Sequence, residues 1–370
     1  MIVSDNNANT PVLSDFAQAE QIALTHLKPH ISHAFVTGAG GFLGKAICER
    51  LLAVGIKVTG FARGDYPQLT AMGVTMVKGD LADESAVLAA MHGCDIVFHV
   101  ASKAGVWGSK QSYYSPNVDG AQYIINACKK SNISKLIYTS TPSVTFAGVD
   151  ENGCDESAPY ADKYLNFYGE SKAVAEKMMI NANGDDTVAG AKLQTVSLRP
   201  HLIWGPGDPH LVPRVLERAK AGRLKLVGKQ DKLVDTIYVD NAAYAHILAA
   251  EKLCVASAHA VQALCAGKAY YLSNDQPITM AAMLNKILDC KNLPAVNKRV
   301  PTSLAYAVGA LLESIYGLIG KTEEPIMTRF VARQLSTSHY FDISAAKSDL
   351  GYSAIVSIDE GMQRLKKSLA

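Results

Sequence analysis

Along the first half of the chain, apolar runs of strand length alternate with segments whose apolar positions recur at helical spacing. HAFVTG (33–38) reads as a strand, GFLGKAICERLLAVG (41–55) as an amphipathic helix, and KVTGFAR (57–63) as the next strand. The alternation continues through VTMVKGD (74–80), a helix near 83–92, DIVFHVAS (95–102), a helix near 113–131 and KLIYTST (135–141). Strands apolar throughout, each leading into a helix, predict a parallel sheet covered on both faces, which is a doubly wound α/β fold. Ligands of such a fold sit at the carboxyl ends of its strands. Ahead of the first strand, residues 14–27 predict a short amphipathic helix capped by Ser14 or Asp15. Beyond VSLRPHLIWGPGD (196–208) the alternation loosens into short strands and loops, and the remainder reads as mainly helical.

Composition narrows this picture. A chain of 370 residues, 48% hydrophobic and 19% charged, can bury a large core and suggests one elaborated α/β domain or two domains. The formal charge of +2, with no basic cluster and no zinc-ligand spacing, argues against nucleic acid as a partner. Seven scattered cysteines without a CxxC pair read as reduced thiols of a cytoplasmic protein. The opening MIVSDNNANTPVLSD has neither the basic nor the apolar region of a signal peptide. The longest apolar run, LAYAVGALLESIYGLIG (304–320), is interrupted by Glu313 and falls short of the ~20 apolar residues that span a bilayer. It is expected to be buried in the core; a lid over an alkyl chain and a docking surface for a membrane or partner are the alternatives.

TGAGGFLG (37–44) closes the first strand and opens the first helix. Gly38 suits the tight turn, Gly41 a close approach to a pyrophosphate, and Gly44 close packing of helix on sheet. In this setting the trio predicts a Rossmann dinucleotide site, with phosphate held by helix N-terminal amides. An NAD site places an acid at the end of the second strand to grip the ribose 2′-OH; here Phe61, Ala62 and Arg63 occupy those positions. The Arg63 fork suits a 2′-phosphate, so NADP(H) is the expected cofactor, with Asp65 reaching back to the ribose as the alternative. Asp80 is expected at the adenine edge, as the cap of the following helix, or as both. The chain divides into an N-terminal extension (1–32), a dinucleotide-binding domain (33–200) and a mainly substrate-binding, partly discontinuous portion (201–370).

NFYGESKAVAEK (166–177) carries Tyr168 and Lys172 at a spacing that shares one helix face, and no other Tyr in the sequence has a Lys four positions on. A fixed ammonium beside a phenol favours phenolate and brings its pKa toward working pH, as proton transfer needs. Thr139, Ser140 and Thr141 end the fifth strand and offer hydroxyls to an oxygen that gains charge as hydride arrives.

TGAGGFLG, HVAS, NVDG, YTSTPSV, YGESK, LRPHLIWGPGD and DTIYVDNAAYAH occur in the order of the extended short-chain dehydrogenases/reductases, which the chain resembles from about residue 33 onward. Within them it is similar to the 3β-hydroxysteroid dehydrogenase branch, where YFDISAAKSDLGY (340–352) recurs. A narrower likeness in FARGDYP, SKAGVWGS and TSTPSV implies NADPH-dependent reduction of a long-chain 2-alkyl-3-oxo acid in bacterial olefin biosynthesis. A sterol 3β-hydroxy dehydrogenase and a non-catalytic NADP-sensing scaffold are the rival readings. The resemblance implies Thr141 as the active-site hydroxyl with Ser140 as runner-up, and Tyr168 as acid/base. It implies that Lys172 lowers the pKa of Tyr168 and holds the nicotinamide ribose. Phe42, Leu43, Leu81 and Ala101 would join Gly38, Gly41, Gly44, Arg63 and Asp80 around the cofactor. The departures are Thr141 where many members carry serine, and the N-terminal extension. The implied partners are a long-chain acyl substrate, a second copy of the chain and other enzymes of the pathway, at a cytoplasmic or membrane-peripheral location.

Lys103, Trp107 and Lys110 lie in the loop after the fourth strand. Lys103 is the candidate for a substrate carboxylate, with a solvated surface role as the bland alternative. Trp107 either lines an acyl channel or packs its loop, and His201 reads as a packed loop residue rather than a second acid.

Overall fold

Seven parallel strands carry the fold, and the computed structural model describes residues 10–259 and 261–370. They are β1 (His33–Thr37), β2 (Lys57–Ala62), β3 (Thr75–Lys78), β4 (Ile96–His99), β5 (Lys135–Thr139), β6 (Gln194–Pro200) and β7 (Lys268–Leu272). Their order across the sheet is β7-β6-β5-β4-β1-β2-β3, so the winding reverses between β1 and β4. Thr37 pairs with both Phe61 and His99, and Thr139 with Leu198, which brings the carboxyl ends of the strands to one edge. A crevice opens at the reversal, where a doubly wound sheet binds its ligand.

The alternation of side chains along a strand explains the double covering. Phe35, Val97 and Leu136 point into one core, against helices that include Gly120–Lys130 and Phe167–Asn181. Val36, Phe98 and Ile137 point into the other, beneath helices Phe42–Ala53 and Val239–Ala258. The sheet is thus completed by a strand and a covering helix from beyond residue 200, a return that the hydrophobic pattern does not announce.

Residues 1–9 of the expected extension lie outside the described residues; the rest is anchored to the core through Ala23, Leu24, Leu27 and Ile31. Its helix is Gln18–Leu27, and Ser14 and Asp15 do not cap it but sit in a separate turn, Leu13–Asp15. Glu20 accepts the N–H of Ala17 at the helix start and also receives Nε of Arg50 at 2.6 Å. The Arg50 guanidinium, 1% exposed, reaches Asp240 at 3.0 Å on helix Val239–Ala258 and lies over the Phe16 ring. Three distant stretches are therefore tied by one buried cation.

The expected helix near 113–131 is longer and irregular: Lys110–Tyr114 runs through a π-turn, Ser115–Asp119, into Gly120–Lys130. Pro116 supplies no N–H and cannot continue a regular ladder, which the wider turn accommodates. Away from the main sheet, Glu151–Cys154, Leu233–Val234, Ile278–Thr279 and His339–Phe341 form a second small sheet, so the substrate portion draws on distant segments. Helix Thr302–Leu318 departs most from expectation. Only Ala305 and Gly309 are buried, so it is not a core helix. No helix among the described residues is long and apolar enough to cross a membrane.

Candidate active site

The crevice is a cleft of about 710 Å3 across the carboxyl ends of the strands. Its floor is the glycine turn. Gly38 has φ of +67°, and a Cβ on it would lie 2.9 Å from Cα of Ala101. A Cβ on Gly44 would overlap the carbonyl oxygen of Gly38, so helix Phe42–Ala53 can sit this close to β1 only without one. Gly41 donates to Gly38 O at 2.8 Å, and Lys45 is the first amide to return to the helix ladder, at Gly41 O. The amides of Phe42, Leu43 and Gly44 precede that ladder on residues lining the cleft, the arrangement that holds a pyrophosphate. This backbone cradle, which a side chain would fill, fits a dinucleotide.

The remaining cofactor candidates line the same cleft: Arg63, Asp80, Leu81 and Ala101. Ala101 donates to Thr37 Oγ1 at 3.0 Å, and that hydroxyl bonds Nδ1 of His99 at 2.8 Å, pinning β1 to β4 at the switch point. Asp80 accepts the Ala82 N–H at 3.0 Å within its own loop, while the next helix is capped by Asp83, which accepts from Ala86. The capping role expected of Asp80 belongs to Asp83. Arg63 is exposed at the rim, and Asp65 is held by Lys78 at 2.9 Å. Tyr66, not among the expected site residues, covers Gly40 and Gly64 with its ring; its only signal in the sequence is an aromatic in the loop after β2.

At the other end of the cleft, Ser140, Thr141 and Tyr168 come together. Ser140 donates its N–H to Leu198 O, leaving its buried hydroxyl unpartnered among the described residues. Thr141 Oγ1 accepts the Ser143 N–H at 3.2 Å. Tyr168 enters from helix Phe167–Asn181, whose start is fixed by the Asn166 side chain accepting the Gly169 N–H at 2.9 Å. Lys172, one turn on, is 1% exposed; its ammonium donates to Thr139 O at 2.6 Å and lies 4.1 Å from the centre of the Tyr138 ring. Burial pulls the ammonium down to about 7, and the Glu176 carboxylate opposes that shift. Burial also raises the Tyr168 phenol, and a hydrogen bond with the Thr141 side chain offsets part of the rise. The expected lowering of Tyr168 by Lys172 is absent from this geometry: the ammonium is directed at Thr139.

Asn117 in the π-turn is 2% exposed and clasps Lys103 through both its N–H (2.7 Å) and its carbonyl (3.1 Å), while donating to Ser171 Oγ at 3.0 Å. It ties the Lys103 loop to the helix of Tyr168; NVDG marked the place but not the role. The Lys103 ammonium bonds Ser112 Oγ at 2.7 Å and lies over the Tyr113 ring, with no carboxylate partner among the described residues. Lys110 is paired with Glu170 at 2.9 Å and is not free for a substrate. Trp107 does not line the cleft; its Nε1 donates to Lys321 O and its ring meets Tyr316 edge-on. His201 reaches the cleft but is 7% exposed and packed edge-on against His339 and Phe341, and burial holds it neutral.

A doubly wound sheet with a glycine cradle at its switch point and a Tyr/Lys pair beside it defines a nicotinamide-dependent oxidoreductase. Residues 35–300 match the 3-beta hydroxysteroid dehydrogenase/isomerase family, and the chain belongs to it. It is 68% identical over 351 residues to the 2-alkyl-3-oxoalkanoate reductase of Shewanella oneidensis, covering 95% of this chain and 89% of that one. It is 34% identical to the decarboxylating sterol-4-alpha-carboxylate 3-dehydrogenase of Mus musculus, over 94% of each chain. Among solved structures, the UDP-glucuronic acid 4-epimerase of Bacillus cereus in complex with NAD superposes with a TM-score of 0.68 at 20% identity, covering 91% of this chain and 98% of that one. At that identity the likeness is one of fold.

Proposed function

We propose that this chain reduces the 3-oxo group of a long-chain 2-alkyl-3-oxoalkanoic acid to the 3-hydroxy acid, with NADPH as reductant. The observation that carries the reading is the 68% identity to the Shewanella oneidensis reductase across nearly the whole chain, joined to a cleft holding Thr141, Ser140 and Tyr168 beside the glycine cradle. Bound there, the reduced nicotinamide supplies the hydride. Thr141 orients the substrate carbonyl oxygen, and Tyr168 delivers the proton that this oxygen takes up as the carbon is reduced. Lys172 holds the nicotinamide ribose and, once turned from Thr139, favours phenolate at Tyr168 after proton delivery. Lys103, a cation in the cleft wall without a carboxylate partner among the described residues, receives the substrate carboxylate. Arg63 selects NADP(H) over NAD(H), and the working form is a homodimer.

The second reading, a sterol 3β-hydroxy dehydrogenase, is favoured by the 34% identical mouse relative. A screen of NADPH oxidation against 2-alkyl-3-oxo acids and 3-oxo steroids separates the two. Acids are expected to turn over with the higher kcat/KM, and Lys103→Met is expected to weaken acids while sparing the matching neutral ketones. Preference for steroids, or equal loss on acids and ketones, rejects the acid assignment and leaves the reductase chemistry standing.

A further inference from the structure

Buried polar side chains are almost always hydrogen-bonded, so one that is not calls for an explanation. His201 is such a residue. It is 7% exposed, its Nδ1 is closed off from solvent, and neither ring nitrogen has a hydrogen-bond partner among the described residues. Packing alone would account for the ring if it were sealed inside the core. Instead it borders the cleft, with Pro200 before it and Leu202 and Ile203 after it.

The chain holds the ring firmly in that place. His201 donates its N–H to Leu272 O at 3.1 Å, and its ring lies edge-on to those of His339 and Phe341, with centroids 4.9 and 5.4 Å away. Leu202, next in sequence, has φ of +50°, a left-handed conformation that leucine rarely adopts. Strain of this kind persists where the surrounding structure fixes a functional group.

Strand register shows what the ring stands beside. Thr139 pairs with Leu198 across β5 and β6, and Ser140 donates its N–H to Leu198 O. Carried two residues further, that register places Thr141 beside Pro200, so His201 leaves β6 just past the level of Thr141. β6 also lies on the far side of β5 from β1, where the glycine cradle sits. A group that reaches past Thr141 to His201 therefore belongs to the substrate. β4, whose loop carries Lys103, flanks β5 on the other side, so Lys103 and His201 approach from opposite directions. The cleft leaves room for an anion between them. Of the two carboxylates that line it, Asp80 follows β3 at the cradle end, and both oxygens of Asp208 are engaged by the N–H groups of His210, Leu211 and Val212. Burial keeps the imidazole uncharged, and with Nδ1 closed off, Nε2 is the nitrogen left to meet a ligand.

We propose that His201 is a specificity-determining residue, whose Nε2–H donates to one oxygen of the substrate carboxylate while Lys103 meets the other. An ammonium on a flexible stem reads charge but little orientation. The clamped imidazole adds direction, setting the carboxylate relative to the carbonyl held at Thr141 and Tyr168. The inference rests on the 3-oxo acid reading and deepens it.

His201→Phe and His201→Leu each remove both nitrogens and keep an apolar group against His339 and Phe341; thermal melts select a variant that folds. Its ratio of kcat/KM on a 2-alkyl-3-oxo acid to kcat/KM on the matching neutral ketone is expected to fall about 10–100-fold, through KM for the acid. His201→Gln, which returns an N–H donor, is expected to recover part of the ratio. Titration of NADPH fluorescence is expected to show wild-type cofactor affinity in all three. An unchanged acid-to-ketone ratio in the folded variant overturns the proposal. So does a loss of NADPH affinity that matches the loss of turnover, because the imidazole would then serve the cofactor. A wild type that takes steroids in preference to acids removes the acid reading and this inference with it. A wild type that takes acids, with a Lys103→Met effect confined to them and an unchanged ratio at His201, removes this inference alone.

Discussion

Replacing Arg63 with alanine isolates the step at which the cofactor is chosen. Arg63 follows the last residue of β2, lines the cleft and is exposed, and the acid that would otherwise grip a ribose 2′-OH, Asp65, is engaged by Lys78 at 2.9 Å. A charge-assisted contact to a 2′-phosphate contributes about 1.5–3 kcal/mol. Solvent around an exposed guanidinium screens that contact and places it at the lower end, about 1.5 kcal/mol, or roughly tenfold in affinity. Titration of cofactor fluorescence against wild type and Arg63→Ala should therefore show NADPH bound about tenfold more weakly and NADH unaffected. The loss should shrink as ionic strength rises, because screening already weakens the wild-type contact. Arg63→Asp should go further and favour NADH, since a carboxylate repels the 2′-phosphate and accepts from a free 2′-OH. A wild type that prefers NADH, or a variant that weakens both cofactors equally, would refute the assignment.

Tyr168→Phe should lower kcat by about 10²–10⁴-fold while NADPH still binds, and near-normal turnover would end its role as proton donor. Lys172 gives a pH signature: with its folded pKa near 7 and an ordinary value of 10.5, the unfolded chain holds the extra proton between them. Stability should therefore rise with pH across that window, and thermal melts of Lys172→Met should show the rise flattened. Glu20→Ala strips a fully buried guanidinium of its nearer carboxylate, a change that typically costs about 3–5 kcal/mol. Because Asp240 remains beside Arg50, the low end is expected in denaturant melts, and Glu20→Ala/Arg50→Met should be less destabilised than Glu20→Ala alone.

Local pattern carries much of this molecule. Strands apolar on both faces, and a glycine trio between strand and helix, depend on neighbours within a few positions, so β1 through β5 and the phosphate cradle are legible in the amino-acid sequence alone. What escapes depends on distant contacts. β7 is a five-residue run whose partner lies some seventy positions earlier, and nothing near it says that it belongs to the main sheet. The apolar circumference of 304–320 suggests burial, yet periodicity says only that a face is apolar and not what covers it. Spacing finds Tyr168 and Lys172, but the aim of the ammonium is set by the Thr139 carbonyl and the Tyr138 ring on a different element. Asn117 shows the same limit, since its three hydrogen bonds run to Lys103 and Ser171, on either side of it in sequence.

The position of β7 bears on how the chain is made as well as on how it stands. A ribosome delivers β1 through β6 long before Lys268–Leu272, and helix Val239–Ala258 also arrives late. Until then β6, with Thr195 to Pro200 all destined for burial, is an open edge able to pair with any extended chain nearby. Helix Val239–Ala258 can cover the second face of the sheet once it emerges, but β6 keeps an unpaired edge until β7 follows, so the nascent protein passes through a stage with an open sheet edge. Translation stopped short of residue 268 should yield aggregates rather than a smaller soluble domain, and a chaperone that shields sheet edges should matter most during that interval.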